Sequence, residues 1–220
     1  MMIKKKRITA ALLALGLGAV TMFSQFPVSA AEETAQNTDA AAQTADPSVV
    51  VTNGIDGWPQ ASDISSAAAI VMETSTNTVL YSKNADQPLY PASAVKIMTC
   101  LVVLEQADLN EDVVVSENAS LTEGSSAYLR KGEHLTVKEL LYCLMLASAN
   151  DAATALAEHV AGSIEDFAAM MNEKAKKIGC TNTHFVTSNG LDSADEGGVH
   201  QTTARDLALI MGYAVKNKTF

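Results

Sequence analysis

Ser93 and Lys96 stand three residues apart in an apolar stretch, residues 90–98 (YPASAVKIM). Residues at this spacing share one face of a helix, so the hydroxyl and the amine can come within hydrogen-bond reach. A serine attacks a carbonyl only after a base takes its proton, and a lysine is such a base only when burial lowers its pKa. The pair predicts acyl transfer, with Ser93 as nucleophile and Lys96 as general base. The alternative is a serine at a helix start followed by a solvated lysine, because Ser-x-x-Lys is frequent by chance.

A second polar triplet, Ser148-Ala149-Asn150, follows between two helical patterns. A hydroxyl at Ser148 can relay protons between the lysine and a leaving group. The amide of Asn150 can hold a substrate carbonyl and donate toward the lysine. The alternative is that Ser148 or Asn150 only caps the following helix.

Together these motifs resemble those of the serine-type D-Ala-D-Ala carboxypeptidases, the low-molecular-weight penicillin-binding proteins of peptidase family S11. The likeness extends along the flanking segments, at residues 90–99, 140–162, 171–191 and 200–210, and favours the sporulation-type members of Gram-positive bacteria. It implies that Ser93 forms the acyl-enzyme and lends its backbone N–H to an oxyanion hole, Lys96 is its base, Ser148 shuttles a proton and Asn150 binds substrate. It further implies no cofactor, a peptidoglycan stem peptide ending in D-Ala-D-Ala as substrate, and β-lactams as acylating inhibitors.

The family's third motif, Lys-Thr-Gly, is not found in the sequence. The resemblance implies that this motif lies on a strand that binds the substrate carboxylate and supplies the second oxyanion donor. The only Lys-Thr pair, Lys218-Thr219, precedes Phe220 and ends a helical pattern, so it does not fit a strand. We therefore expect a chain shortened before the motif, with an incomplete sheet and little or no carboxypeptidase activity of its own.

The body of the sequence predicts an α+β fold. Two β-rich runs, residues 67–73 and 78–83, flank Asn77, which tolerates left-handed backbone, and so predict a hairpin. Residues 95–109 predict a buried helix and residues 112–116 a short extended piece. Capped helical patterns follow from Thr136, which forms a capping box with Glu139, from Asn150 or Asp151, from Ser163 and from Thr203. Gly162 and Gly179 are the predicted ends of the second and third of these helices. A hairpin followed by helices predicts a helical cluster packed on an antiparallel sheet. The resemblance implies that this is a β-lactamase/DD-peptidase-like fold, with an incomplete sheet.

The first 62 residues differ in composition from the rest. Residues 1–30 combine four consecutive basic residues, an apolar run and a small-residue end, Val28-Ser29-Ala30, which predicts a secretory signal peptide. An uncleaved anchor helix is the alternative, although the run is shorter than the roughly 20 residues of a span. Residues 31–62 predict a flexible linker, and residues 63–220 the N-terminal and helical portion of a catalytic domain. We expect an extracytoplasmic protein, secreted or at the outer membrane face, with peripheral membrane association left open.

Charge and motif content exclude several classes of function. The net charge of −10 becomes −14 beyond residue 30, which disfavours nucleic acid as a partner. Neither His-Glu-x-x-His nor Cys-x-x-Cys occurs, so no metal site is predicted. Cys100, Cys143 and Cys180 predict buried thiols, and no disulfide can be deduced. A β-lactamase is disfavoured because no Glu-Asn pair for activating water follows the second motif. A non-catalytic module that holds muropeptides or β-lactams remains the alternative.

Overall fold

Six helices and three small antiparallel sheets make up residues 64–220, the part of the chain that this computed structural model describes. The strands are β1 Ala69–Glu73, β2 Thr78–Lys83, β3 Asp112–Val114, β4 His134–Thr136, β5 Ala194–Asp195 and β6 Gly198–Val199. The helices are α1 Lys96–Gln106, α2 Glu117–Ser120, α3 Val137–Leu146, α4 Asn150–Ala161, α5 Ile164–Ile178 and α6 Ala204–Ala214. The signal peptide and linker expected at residues 1–30 and 31–62 lie outside the described residues.

Strands β1 and β2 form the predicted hairpin. Ala69 pairs with Lys83 and Glu73 with Thr78, and Asn77 has the left-handed backbone expected of it, with φ 58°. The Glu73 carboxylate closes the turn by accepting hydrogen bonds from the backbone of Ser75 and Thr76. Helix α6 packs against β1, so the hairpin is anchored to the helical part of the fold.

Helix α4 lies at the centre of the core and packs against α1, α2, α3 and α5. Small side chains on α4 let these neighbours approach closely, and every residue from Asn150 to Ala157 is buried. The large core residues around it are Leu101, Leu140, Leu144, Phe167 and Met171. Because α1 and α4 pack directly on each other, their N-terminal turns can contribute to one site.

The predicted helix boundaries are confirmed where the capping chemistry is strong. Thr136 and Glu139 form the expected capping box at the start of α3. Gly162 and Gly179 end α4 and α5 in the left-handed conformation that glycine adopts without strain. Ser163 and Thr203 each accept a backbone hydrogen bond as N-caps of α5 and α6.

Apart from β3, the short elements were not predicted, because two to four residues carry no periodic pattern. The sequence interpretation missed β4, α2 and the β5–β6 pair, and α1 proved shorter than residues 95–109. The α+β class is confirmed, although the strands among residues 64–220 form three separate pairs. No helix in this described range is long and apolar enough to cross a membrane.

Candidate active site

A 3₁₀ turn, Ala92–Val95, leads directly into α1 and sets the spacing of Ser93 and Lys96. Residues three apart in a 3₁₀ turn are eclipsed, so the two side chains lie one above the other. The Nζ atom of Lys96 lies 3.1 Å from the Oγ atom of Ser93. Ser93 is exposed, whereas Lys96 is only 3% exposed. The alternative of a solvated lysine is therefore wrong for this chain.

Three oxygen atoms surround the Lys96 amine. Besides Ser93 Oγ, Lys96 Nζ donates to Asn150 Oδ1 at 2.7 Å and to the backbone carbonyl of Asn189 at 2.7 Å. All three partners are neutral, so none of them supplies a negative charge to balance a buried cation. Burial lowers the pKa of Lys96 to about 8, which makes the neutral amine accessible near physiological pH.

Ser148 reaches the same cluster from the connection between α3 and α4. Its Oγ atom donates to Ser93 Oγ at 3.0 Å, and its backbone is left-handed, with φ 53°. The N-cap of α4 is Ala149, with no side-chain hydrogen bond, so neither Ser148 nor Asn150 acts as the cap. The structure thus brings together all four residues singled out from the sequence.

The side-chain amide of Asn150 is held at both ends. Its Nδ2 donates to the carbonyl of Glu123 at 2.7 Å, which fixes the oxygen of the amide toward Lys96. The expectation that Asn150 donates toward the lysine is wrong, because it accepts instead. Its role in substrate binding stays a prediction.

The loop between α2 and β4 supports Asn150 and the next residue, Asp151. The backbone N–H of Asn150 donates to the Ser125 carbonyl at 2.7 Å. Asp151 is buried, and its carboxylate accepts from Ser126 Oγ and from the backbone N–H groups of Ala127 and Leu129. Burial alone would raise the pKa of Asp151, but these hydrogen bonds bring it below its usual value. The Asp151 carboxylate therefore serves to hold the loop in place.

Comparison with known proteins now identifies the family. The family model described as D-alanyl-D-alanine carboxypeptidase, peptidase S11, matches residues 56–219. The chain belongs to this family. It is 42% identical over 148 residues to the carboxypeptidase DacF of Bacillus subtilis and 37% identical over 169 residues to the carboxypeptidase of Streptomyces sp. K15. These matches cover 65% and 71% of this chain but only 37% and 57% of the relatives.

Solved structures of family members have the same fold. The D-alanyl-D-alanine carboxypeptidase of Mycobacterium tuberculosis superposes with a TM-score of 0.69 at 33% identity, covering 74% of this chain and 61% of that one. DacD of Francisella tularensis gives a TM-score of 0.66 at 34% identity, covering 70% and 38%. The predicted DD-peptidase-like fold is confirmed.

Two residues of this cluster were missed in the sequence. Asn189 contributes only its backbone carbonyl, which no residue type reveals. Gly190 has φ +91°, and a Cβ atom there would lie 2.0 Å from the carbonyl oxygen of Ala92 and 3.1 Å from Ser93 N. The Asn-Gly pair is a turn signal that could have marked this loop, although not its contact with the nucleophile.

The remaining candidate features lie away from this cluster. Lys218 and Thr219 follow α6 and belong to no strand of the described range, and Phe220 packs against the core. Cys100, Cys143 and Cys180 are free thiols; Cys100 is buried as predicted, whereas Cys143 and Cys180 are only partly buried. Burial raises the pKa of Cys100 to about 11 and that of Cys180 to about 12. Such thiols are poor nucleophiles.

Proposed function

We propose that this chain carries the acylation centre of a serine-type D-Ala-D-Ala carboxypeptidase, which removes the terminal D-alanine from peptidoglycan stem peptides. One observation carries the proposal: the buried amine of Lys96 lies 3.1 Å from the exposed hydroxyl of Ser93. Membership of the S11 family supports the choice of substrate. The roles of Ser93, Lys96, Ser148 and Asn150 are part of the proposal.

The acceptors around Lys96 select the direction of its lone pair. Asn150 Oδ1 and the Asn189 carbonyl can only accept hydrogen bonds. A neutral amine has two hydrogens, and these two oxygens take both of them. The lone pair is then directed at Ser93 Oγ, whose hydroxyl can donate. The site therefore orients the base as well as lowering its pKa.

Acylation follows from this arrangement. Lys96 takes the proton of Ser93 as Oγ bonds to the carbonyl carbon of the penultimate D-alanine. The bond to the terminal D-alanine nitrogen breaks, and that nitrogen receives a proton from the Ser148 hydroxyl, which Lys96 replenishes. The 3.0 Å contact between Ser148 Oγ and Ser93 Oγ supports this relay. Water then cleaves the ester, giving its proton to Lys96 while Ser93 regains its own.

The 220-residue sequence contains no Lys-Thr-Gly motif, and this affects the acylation rate expected of it. Loss of one oxyanion donor costs about 10²–10³ in rate. We expect slow acylation and slower turnover by the 220-residue chain, whose sequence spans 37–57% of the relatives named above. Fast labelling would contradict this expectation without affecting the role of Ser93.

Fluorescent penicillin labelling of the full chain tests the nucleophile. Ser93→Ala should abolish the label, whereas Ser120→Ala, outside the cluster, should retain it. Label that persists in Ser93→Ala, or a complete lack of label at any penicillin concentration, would overturn the proposal. Release of D-alanine from diacetyl-Lys-D-Ala-D-Ala distinguishes a carboxypeptidase from the alternative, a module that is acylated without turnover.

Location outside the cytoplasm also belongs to the proposal, because the peptidoglycan substrate lies there. The basic and apolar pattern of residues 1–30 supports export. N-terminal sequencing of the protein from a bacterial host should find Ala31 as the first residue. Retention of Met1 in the cytoplasmic fraction would overturn this part.

A further inference from the structure

Thr99 uses its hydroxyl in an unusual way for a buried threonine in a helix. Such hydroxyls commonly bond back to a carbonyl in the preceding turn of their own helix. Thr99 lies in α1, is fully buried, and instead donates to the carbonyl of Ser188 at 2.6 Å. It therefore ties α1 to a loop that is distant in the sequence.

The tie lies directly beside the Lys96 contact. Lys96 and Thr99 are three residues apart on α1, and they donate to the carbonyls of Asn189 and Ser188, which are consecutive in the chain. Each of the two peptide groups around Asn189 is thus held by one α1 side chain. Thr99 fixes the first peptide, and the second presents its oxygen to the amine.

Two further contacts close off the other directions in which the loop could move. The Oγ atom of Ser188 donates to the carbonyl of Ala153, one turn after Asn150 on α4. Gly190 lies so close to Ala92 that not even a Cβ atom would fit between them. The loop at residues 187–190 is consequently held by α1, by α4 and by the turn that carries Ser93.

We propose that Thr99 is a positioning residue: its bond to Ser188 holds the Asn189 carbonyl against Lys96 and thereby keeps the Lys96 lone pair directed at Ser93. The inference rests on the proposed function for its catalytic consequence, although its effect on Lys96 can be measured without turnover. Thr99 touches no reacting atom and acts only through the loop.

Loss of the Thr99 hydroxyl should lower the pKa of Lys96 and slow acylation. A carbonyl oxygen binds an ammonium group more strongly than a neutral amine, so the Asn189 carbonyl favours protonated Lys96. If this oxygen drifts away, the pKa of Lys96 falls below about 8. Meanwhile one amine hydrogen loses its acceptor, the lone pair is no longer confined, and acylation slows. A general loss of stability would change neither the titration of Lys96 nor the pH profile.

Lysine carbon-13 NMR on the full chain tests this inference. The Lys96 Cε signal is identified by its absence in Lys96→Arg, and its titration is followed in each variant. Thr99→Val keeps the side-chain shape and should lower the Lys96 pKa. Thr99→Ser retains the hydroxyl and should restore the normal titration. Thr154→Val is the matched control, because Thr154 is also buried in a helix and bonds through its hydroxyl to Thr122.

Acylation by penicillin supplies the second readout. Thr99→Val should lower the rate by up to about 10²-fold, as expected for a small displacement of reacting groups, and should move the rising limb of the pH profile to lower pH. If Thr99→Val does not fold, Ser188→Ala removes the neighbouring anchor and should shift Lys96 in the same direction. An unchanged Lys96 titration in the folded variants would overturn the inference. Absence of labelling in every variant would overturn the proposed function, while the NMR result would still decide the role of Thr99.

Discussion

Ser148 donates a hydrogen bond to Ser93 across 3.0 Å while holding a left-handed backbone with φ 53°. A residue with a Cβ atom pays about 1–2 kcal/mol for that conformation. Ala92, immediately before Ser93, has φ 46° and carries the same cost. Strained residues thus flank the nucleophile from two separate elements, and the packing of α1 on α4 holds both in place.

Two replacements of Ser148 distinguish the effect of its strained backbone from the effect of its hydroxyl. Ser148→Ala and Ser148→Gly both remove the proton relay, so both should label more slowly with penicillin than the parent chain. Ser148→Gly also relieves the left-handed strain and should be more stable than Ser148→Ala by about 1 kcal/mol in chemical denaturation. Equal stability of the two variants would contradict the strain, and undiminished labelling would contradict the relay.

The pKa of Lys96 predicts how acylation depends on pH. Burial lowers this pKa to about 8, so the ammonium form predominates below pH 8 and cannot accept the Ser93 proton. The labelling rate should therefore rise with pH up to about 8 and level off above it. A rate that is flat from pH 6 to pH 10, corrected for penicillin hydrolysis, would contradict Lys96 as the base.

The free energy of unfolding should also depend on the titration of Lys96. The unfolded chain keeps a lysine pKa of 10.5, so between pH 8 and 10.5 it binds more protons at this position than the folded chain. The contribution of Lys96 to the free energy of unfolding therefore rises with pH across this window. Chemical denaturation at several pH values should show the rise in the parent chain and not in Lys96→Met. Parallel curves for the two would count against a lowered pKa.

Gly190 should tolerate no side chain. Gly190→Ala adds a Cβ atom 2.0 Å from the Ala92 carbonyl oxygen, whereas Gly162→Ala, at a similar positive φ, meets nothing within 4 Å. Both changes carry the conformational cost of about 1–2 kcal/mol, but only Gly190→Ala must also push the loop off the nucleophile turn. We expect Gly190→Ala to be the less stable in thermal unfolding and to lose penicillin labelling. Similar behaviour of the two variants would argue against the close contact.

Asp151 should matter through the loop that it holds. Asp151→Asn retains the shape but replaces a charged acceptor of several hydrogen bonds, with an expected cost of about 2 kcal/mol in the free energy of unfolding. Labelling should slow as well, because the same loop fixes Asn150 through Ser125. Asp112→Asn, at an exposed carboxylate, is the control and should be nearly neutral. A loss no larger than that of the control would show that Asp151 is not needed to order the loop.

The sequence was sufficient for the parts of the site that side chains define. Ser93, Lys96, Ser148 and Asn150 were found because hydroxyl, amine and amide groups reveal their chemistry by residue type and spacing. Helix ends at Thr136, Gly162 and Gly179 were found because capping depends on a few adjacent residues.

Contacts made by backbone atoms could not be found in this way. The Asn189 carbonyl holds Lys96 from 93 residues along the chain, and its residue type says nothing about that bond. The orientation of the Asn150 amide was assigned wrongly for a similar reason, because the Glu123 carbonyl that fixes it carries no sequence signal. Both depend on how the loops pack on α1 and α4, which local patterns do not contain.

The docking of the 187–190 loop onto α1 has a consequence for how the protein matures. A growing chain contains both recognised motifs once residue 150 has emerged, yet its amine still lacks the Asn189 oxygen that completes its surroundings. Contacts between residues so far apart in the sequence form slowly, because closing the intervening segment costs entropy before the contact can contribute any stabilising free energy. The surroundings of the Lys96 amine are therefore complete only after the 187–190 loop has closed on α1.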